Sequence, residues 1–530
     1  MGRDRNFQGC QACKLVRVLP PPPHVFRIAS PSSHRDLHMT RISTGITGLD
    51  DILSGGLPSG QMYLLQGNPG TGKTTIAMQF MLAGVAAGET VLYITLSEPR
   101  TELNSSAESH GFNLGTVPVV EFVPDEAALQ AENQYTVFHP SEVELASTIQ
   151  RLTTEIEARN PDRLVIDSLS ELRLLANDRM KYRRQLLALK QYFSERRTTV
   201  MLLDDCTADG NDLQLQSIAH GVISLDKKQR SFGSSRRQME IVKLRGSAYR
   251  EGYHDYTIRK GGVMIFPRLV AAEHGEDFPS EQVKSGIKAM DAVMGGGVDR
   301  GSSVLVTGPT GVGKSSIAMQ YAVAAANRGE RAVVYLFDEV LRSAKLRANG
   351  LGMPVKDLIE NGKLQMRQVD PAELSPGEFV WQIRSDVNEN DTRLIVIDSL
   401  NGFLNAMPGE QDLTLHVHEL LSYLSQKGVI TILVLNQMGL VGTMHTQVDV
   451  SYLADSVVLL RYYEMSGRIH QTISVLKKRI GGHERTLREI SFSEAGISVG
   501  DPLTNFKGVL TGVPELLEAE IVSNDEAAGG

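Results

Sequence analysis

The chain has 530 residues, 41% apolar and 22% charged, enough for about two to four domains with well-filled cores. Its 54 basic and 62 acidic residues leave a net charge of −8, and its three cysteines stand at Cys10, Cys13 and Cys206. That balance speaks against a broad basic nucleic-acid-binding face, and so few cysteines exclude a disulfide-stapled secreted fold. No apolar run approaches the ~20 residues needed to cross a bilayer, so a cytoplasmic protein without a membrane segment is expected.

Residues 1–39 differ from the rest. They hold the run Pro20 to Pro23, a net positive charge and no sustained period of 2 or 3.6, which reads as a disordered tail or as a start misassigned upstream of Met39. Cys10 and Cys13 make half of a zinc ribbon, and no second CxxC completes the four ligands that zinc needs.

Internal repetition organises everything after that. Shifted by 241 positions, Gly45 to Gln79 overlies Gly286 to Gln320 without a gap, with 15 of 35 residues identical. A period this long is a duplicated domain. Each copy predicts a strand (62–66; 303–307), a glycine loop and an amphipathic helix. A further strand (91–96; 332–337) and an apolar strand ending in Asp (164–167; 394–398) follow. Short Val, Ile and Leu runs alternating with helical patterns indicate an α/β fold with a mostly parallel sheet buried on both faces. The domains are expected at 40–270 and 280–505, with a patternless linker near 269–282 and an acidic mobile tail over 506–530.

The glycine loops are Gly67-Asn68-Pro69-Gly70-Thr71-Gly72-Lys73-Thr74 and Gly308-Pro309-Thr310-Gly311-Val312-Gly313-Lys314-Ser315. Both fit GxxxxGK[ST]. Glycines let backbone N–H groups converge on a phosphate, the helix start adds partial positive charge, and Lys73 or Lys314 reaches the outer phosphates. Thr75 and Ser316 add N–H groups at the helix start. Thr74 and Ser315 place hydroxyls at a Mg²⁺ ion, and Asp167 and Asp398, each followed by Ser, complete its shell. ATP and Mg²⁺ are therefore the expected cofactors.

Hydrolysis needs a carboxylate that orients the attacking group. Glu98 and Glu339 follow the strand after each P-loop helix and suit that role. Asp338 adds an acid in the second copy, where the first has Ser97, so the two sites are not expected to be equivalent. Lys243 and Arg245, like Lys477 and Arg479, lie two apart on predicted strands. Each pair thus presents two cations on one face, either to solvent or to the nucleotide of an adjacent subunit.

Taken together, the tandem P-loops, the Asp-Ser strand ends, the Lys243-Leu244-Arg245-Gly246 and Lys477-Lys478-Arg479 segments and the duplication resemble the KaiC family of RecA-like ATPases. The resemblance runs from about residue 40 to 505. It implies two tandem RecA-like P-loop domains in a homohexamer of stacked rings, with ATP between subunits. The first ring would hydrolyse ATP, and the second would also act as a serine/threonine autokinase on its own chain. In that reading Glu98 and Glu339 are catalytic, and the two basic pairs reach a neighbour's nucleotide. The family's adjacent Ser and Thr acceptors correspond to Ser451 and Tyr452, so the second hydroxyl is a phenol held further from the backbone. This departure, with Ser97, keeps the reading at a KaiC-like ATPase and autokinase and short of a clock component. Signalling proteins are the expected partners. A RadA-like DNA-dependent ATPase, suggested by Lys227-Lys228 and Arg236-Arg237, and a non-kinase ATP-gated scaffold are the alternatives.

Overall fold

The computed structural model describes residues 40–122, 140–176, 178–206, 213–230, 232–405, 413–437, 450–504, 506–508 and 515–516. Cys10, Cys13, Met39 and most of the acidic segment lie outside them. In the first repeat the strands are β1 (Met62–Gly67), β2 (Val91–Thr95), β3 (Val119–Glu121), β4 (Arg163–Asp167), β5 (Thr199–Asp205), β6 (Gly221–Lys228), β7 (Arg236–Leu244), β8 (Tyr253–Arg259) and β9 (Gly262–Phe266). They form one nine-stranded sheet in the order β3-β2-β4-β5-β1-β6-β7-β8-β9. The second repeat supplies β10 (Ser303–Gly308), β11 (Arg331–Leu336), β12 (Leu364–Gln368), β13 (Thr392–Asp398), β14 (Ile430–Asn436), β15 (Ser456–Met465), β16 (Arg468–Lys478), β17 (Arg488–Ser493) and β18 (Gly496–Pro502). Its order, β12-β11-β13-β14-β10-β15-β16-β17-β18, repeats that of the first sheet strand for strand. Strands β3 through β6 in that row run parallel, and β7, β8 and β9 return antiparallel.

The parallel strands are apolar runs because both of their faces are covered. Leu164, Val165 and Ile166 on β4 are all fully buried. Val165 packs into the layer that holds the P-loop helix, whereas Leu164 and Ile166 pack into the opposite one. The second sheet alternates alike, with Val396 on one side and Ile395 and Ile397 on the other. Both P-loop helices (Lys73–Ala86 and Lys314–Asn327) are buried over most of their length, which suits helices clamped between a sheet and further helices.

One polar anchor sits inside this apolar frame. Arg163, 2% exposed at the start of β4, donates to the Ser43 and Phe80 carbonyls at 2.7 and 3.0 Å and pairs with Glu89. Its guanidinium also lies 4.7 Å from the centre of the Phe80 ring. Gly84 makes room for it, because a Cβ there would stand 2.8 Å from Arg163 Cδ.

The stretch expected as a patternless linker is instead docked. Leu269 and Ala271 are buried in the core of the second repeat, and the Ala271 N–H donates to Glu419 at 3.0 Å. Phe278 fills the space left open by Gly301 and Gly428. Apolar residues too few to show a period still bury when a neighbouring core has room. The two repeats also touch through Arg259–Glu378 at 2.7 Å and Gly377 N–H to Asp255 at 2.9 Å. In the segment read as a mobile tail, Phe506–Lys507 pair antiparallel with Glu515–Leu516. Among the described residues no helix is long and apolar enough to cross a membrane.

Candidate functional site

The carboxyl ends of β1, β2, β4 and β5 meet at one edge of the first sheet and gather the first P-loop, Glu98, Asp167 and Asp205. The corresponding edge of the second sheet gathers the second P-loop, Glu339, Asp398 and Asn436. Ligands of open α/β sheets bind at such an edge. Gly70 and Gly72 hold φ of 76° and 97°, and Gly311 and Gly313 hold 83° and 100°. These left-handed positions turn the loop so that its N–H groups converge. At Gly72 a Cβ would stand 2.5 Å from Ile258, and at Gly313 one would stand 2.1 Å from the Phe492 ring. Both helices start without a side-chain cap, so their first N–H groups are left for an anion.

The remaining loop positions divide by direction. Thr71 and Val312 are fully buried, with Thr71 Oγ1 donating to the Asn68 carbonyl at 2.7 Å. Each can offer only its backbone to a ligand. Gly67 and Gly308 sit against the Leu225 and Leu460 carbonyls, where a Cβ would stand 2.7 and 2.3 Å away. Thr75 and Ser316 face the following helix: Thr75 Oγ1 lies 3.5 Å from His110 Nε2, and Ser316 Oγ accepts from Arg347 at 3.4 Å.

Both P-loop lysines are buried and folded over their own loop. Lys73 donates to the Gly67 and Asn68 carbonyls at 2.8 and 3.3 Å and pairs with Asp205 at 2.7 Å. Lys314 donates to the Pro309 carbonyl at 2.6 Å. At the strand end matching Asp205 stands Asn436, and among the described residues Lys314 has no ion pair. Burial pushes the Lys314 ammonium down to about 8, with Asp398 opposing that shift. The Asp205/Asn436 difference is absent from the motif reading because neither residue belongs to the loop.

Thr74 Oγ1 donates to Asp167 at 3.0 Å, and Tyr93 Oη donates to the same oxygen at 2.6 Å. Burial raises the Asp167 carboxyl pKa, and these hydrogen bonds oppose the rise. Ser315 hydrogen-bonds Asp398, whose pKa burial also raises. A hydroxyl beside a carboxylate at the loop is the oxygen set that a hydrated Mg²⁺ requires. The Asp167–Ser168 and Asp398–Ser399 peptides are both cis.

The two glutamates are held differently. Glu98 is fixed through its backbone, its N–H donating to Thr95 Oγ1 at 3.0 Å and its carbonyl accepting back at 2.7 Å. Among the described residues its carboxylate makes no ion pair, and burial first, then the Asp167 charge, raises its pKa. Glu339 is instead clamped by Arg347 at 2.7 Å, from a helix (Leu341–Gly350) whose counterpart carries Ser106 at that position. Asp338 turns away from Glu339 and accepts from Ser399 Oγ.

The basic pairs do not join their own P-loop. Lys243 lies opposite Val222, level with Leu64, three residues back from Gly67; Lys477 lies opposite Val457, level with Leu305. At ~3.3 Å per residue that is about 10 Å down the sheet, and Arg245 and Arg479 lie further still. Lys243 and Arg245 hold the Gln216 and Ser217 carbonyls. Lys477 holds the Ser451 and Ala454 carbonyls at 3.1 and 2.6 Å, and Arg479 pairs with Asp455 at 2.9 Å. Asp455 in turn accepts from Ser303 N–H and Oγ, both at 2.9 Å, at the foot of β10. The 450–455 segment, with Ser451 half-buried and Tyr452 57% exposed, is thereby pinned at the end of the sheet away from its own P-loop.

Comparison with known proteins bears on the two repeats. A family model described as "ATPase: KaiC" matches residues 42–270 and again 283–504. The circadian clock protein KaiC3 of Synechocystis sp. is 27% identical over 89% of this chain and 94% of its own. The circadian clock oscillator protein KaiC of Thermostichus vulcanus is 26% identical over 93% and 95%, and that of Synechococcus elongatus is 26% identical over 90% and 92%.

Proposed function

The chain belongs to the KaiC family of ATPases, and from that premise we propose that it works as a homohexamer of two stacked rings which hydrolyses ATP and phosphorylates its own second domain. The units carrying this are residues 40–270 and 280–505. ATP is held by the loops Gly67 to Thr75 and Gly308 to Ser316, and the resident metal is Mg²⁺. When bound, the metal offsets charge on the phosphates. Thr74 with Asp167, and Ser315 with Asp398, are the residues to hold its hydrated shell.

Lys73 and Lys314 exchange their loop carbonyls for phosphate oxygens. Glu98, whose carboxylate makes no ion pair among the described residues and has a raised pKa, orients a water at the first site and takes its proton. Glu339, once freed from Arg347, does the same for water or for a side-chain hydroxyl at the second site, where Asp338, held by Ser399, adds a second acid. The attacking oxygen forms its bond to the γ-phosphorus as the bond to the β-bridging oxygen breaks, ADP departs, and the hydroxyl proton passes to the glutamate.

One observation carries the between-subunit part: Lys243, Arg245, Lys477, Arg479 and the Ser451–Tyr452 segment lie about 10 Å or more down the sheet from the P-loop of their own domain. They suit the nucleotide of an adjacent subunit, with Ser451 and Tyr452 as candidate acceptors. A mixing experiment tests this. Lys314→Ala chains keep the acceptors and lose the donor, and chains with Ser451→Ala and Tyr452→Phe do the reverse. Phosphate on the Lys314→Ala chains after mixing with Mg²⁺-ATP supports transfer between subunits, and phosphate on neither chain counts against it.

A further inference from the structure

A group of cations beside the first P-loop takes no part in the proposed reaction. Lys227 near the end of β6 stands directly opposite Arg237 on β7, and Tyr256 on β8 continues the row. Cross-strand partners share a face. Two residues back along the same strands, Leu225 and Met239 pack with Ile76 and Phe80 of the P-loop helix, so Lys227 and Arg237 point to the P-loop side. Tyr256 Oη donates to the Thr71 carbonyl at 2.7 Å. Lys227 Nζ lies 3.6 Å from where a Cβ on Gly70 would stand. The row thus lies against the apex of the phosphate loop.

Like charges directly opposite on a ladder repel each other. Among the described residues neither Lys227 nor Arg237 makes an ion pair. The nearby Asp226 is 3.9 Å from Lys228, and Arg237 Nε is buried without a hydrogen-bond partner. The second sheet is built otherwise. There Tyr462 stands opposite Gln471, with the Tyr462 hydroxyl 3.1 Å from the Cβ position of Gly311. The same place beside the second P-loop is uncharged.

We propose that Lys227 and Arg237 form a supplementary phosphate-binding subsite of the first nucleotide site, one that the second site lacks. A phosphate chain in the loop replaces the repulsion between the two cations with charge-assisted contacts. The subsite makes the first site the tighter of the two for nucleoside polyphosphates. The inference rests on the nucleotide reading of the P-loops.

The test uses the full chain carrying Lys314→Ala, so that only the first site loads, titrated with a fluorescent ATP analogue at low and at physiological ionic strength. Adding Lys227→Gln is expected to weaken binding about tenfold and to flatten its salt dependence, with Lys227→Arg restoring both. In a Lys73→Ala chain, Tyr462→Lys is expected to tighten the second site and steepen its salt dependence. A parent that binds the analogue while Lys227→Gln changes neither affinity nor salt slope would overturn the subsite and leave the P-loop reading standing. A parent that binds no nucleotide would overturn both.

Discussion

The second P-loop lysine should make nucleotide affinity depend on pH in a range where the first site has a built-in counter-charge. Lys314 is buried, bonded to the Pro309 carbonyl, and its ammonium is pushed down to about 8. A triphosphate in the loop favours the charged form, so binding is strongest below the free-state value and weakens as pH rises through it. With that value near 8, the protonated fraction falls from about three quarters at pH 7.5 to about a tenth at pH 9. The expected loss of affinity is roughly eightfold, a little over 1 kcal/mol at ~1.36 kcal/mol per pKa unit. The assay is calorimetric ATP titration of a Lys73→Ala chain across that range. Asn436→Asp is the control: it supplies the carboxylate that Asp205 gives Lys73 at 2.7 Å, and the profile should flatten. A flat profile without that change, or an equally steep one with it, would refute the reasoning.

Three further outcomes follow from the same geometry. Arg347→Ala removes the 2.7 Å clamp on Glu339, and ATP turnover at the second site, measured in a Lys73→Ala chain, should rise several-fold. Arg163→Met removes the hydrogen bonds to the Ser43 and Phe80 carbonyls and the ion pair with Glu89, and should lower unfolding free energy by about 3 kcal/mol in denaturant titrations. Gly313→Ala must fit a Cβ 2.1 Å from the Phe492 ring at a φ of 100°, and should abolish nucleotide binding at the second site while Gly350→Ala, in open space, leaves it unchanged.

The parts legible from sequence are those whose physics is local. A glycine loop between a strand and a helix announces itself, as do Asp167 and Asp398 closing apolar runs, and the 241-residue shift aligns the two sites. The antiparallel β7 to β9 are less legible because they mix charged with apolar residues. Arg163 opens an otherwise apolar strand, and its carbonyl partners lie 120 and 83 residues away. The clamp on Glu339 joins residues eight apart across a turn and a helix, outside any motif spacing. The contrast between Asp205 and Asn436 gains meaning only once β5 and β14 are known to flank the P-loop strands. In each case the missing information was which side chains the fold brings together.

The central claim is that the second domain transfers phosphate to the segment held by Lys477 and Arg479, using Glu339. Intact-mass and phosphopeptide analysis after incubation with Mg²⁺-ATP tests it most directly, with Glu339→Gln alongside. The account predicts phosphate on Ser451 or Tyr452 in the parent chain and none in the variant. ATP hydrolysis with no phosphate on either residue would contradict it.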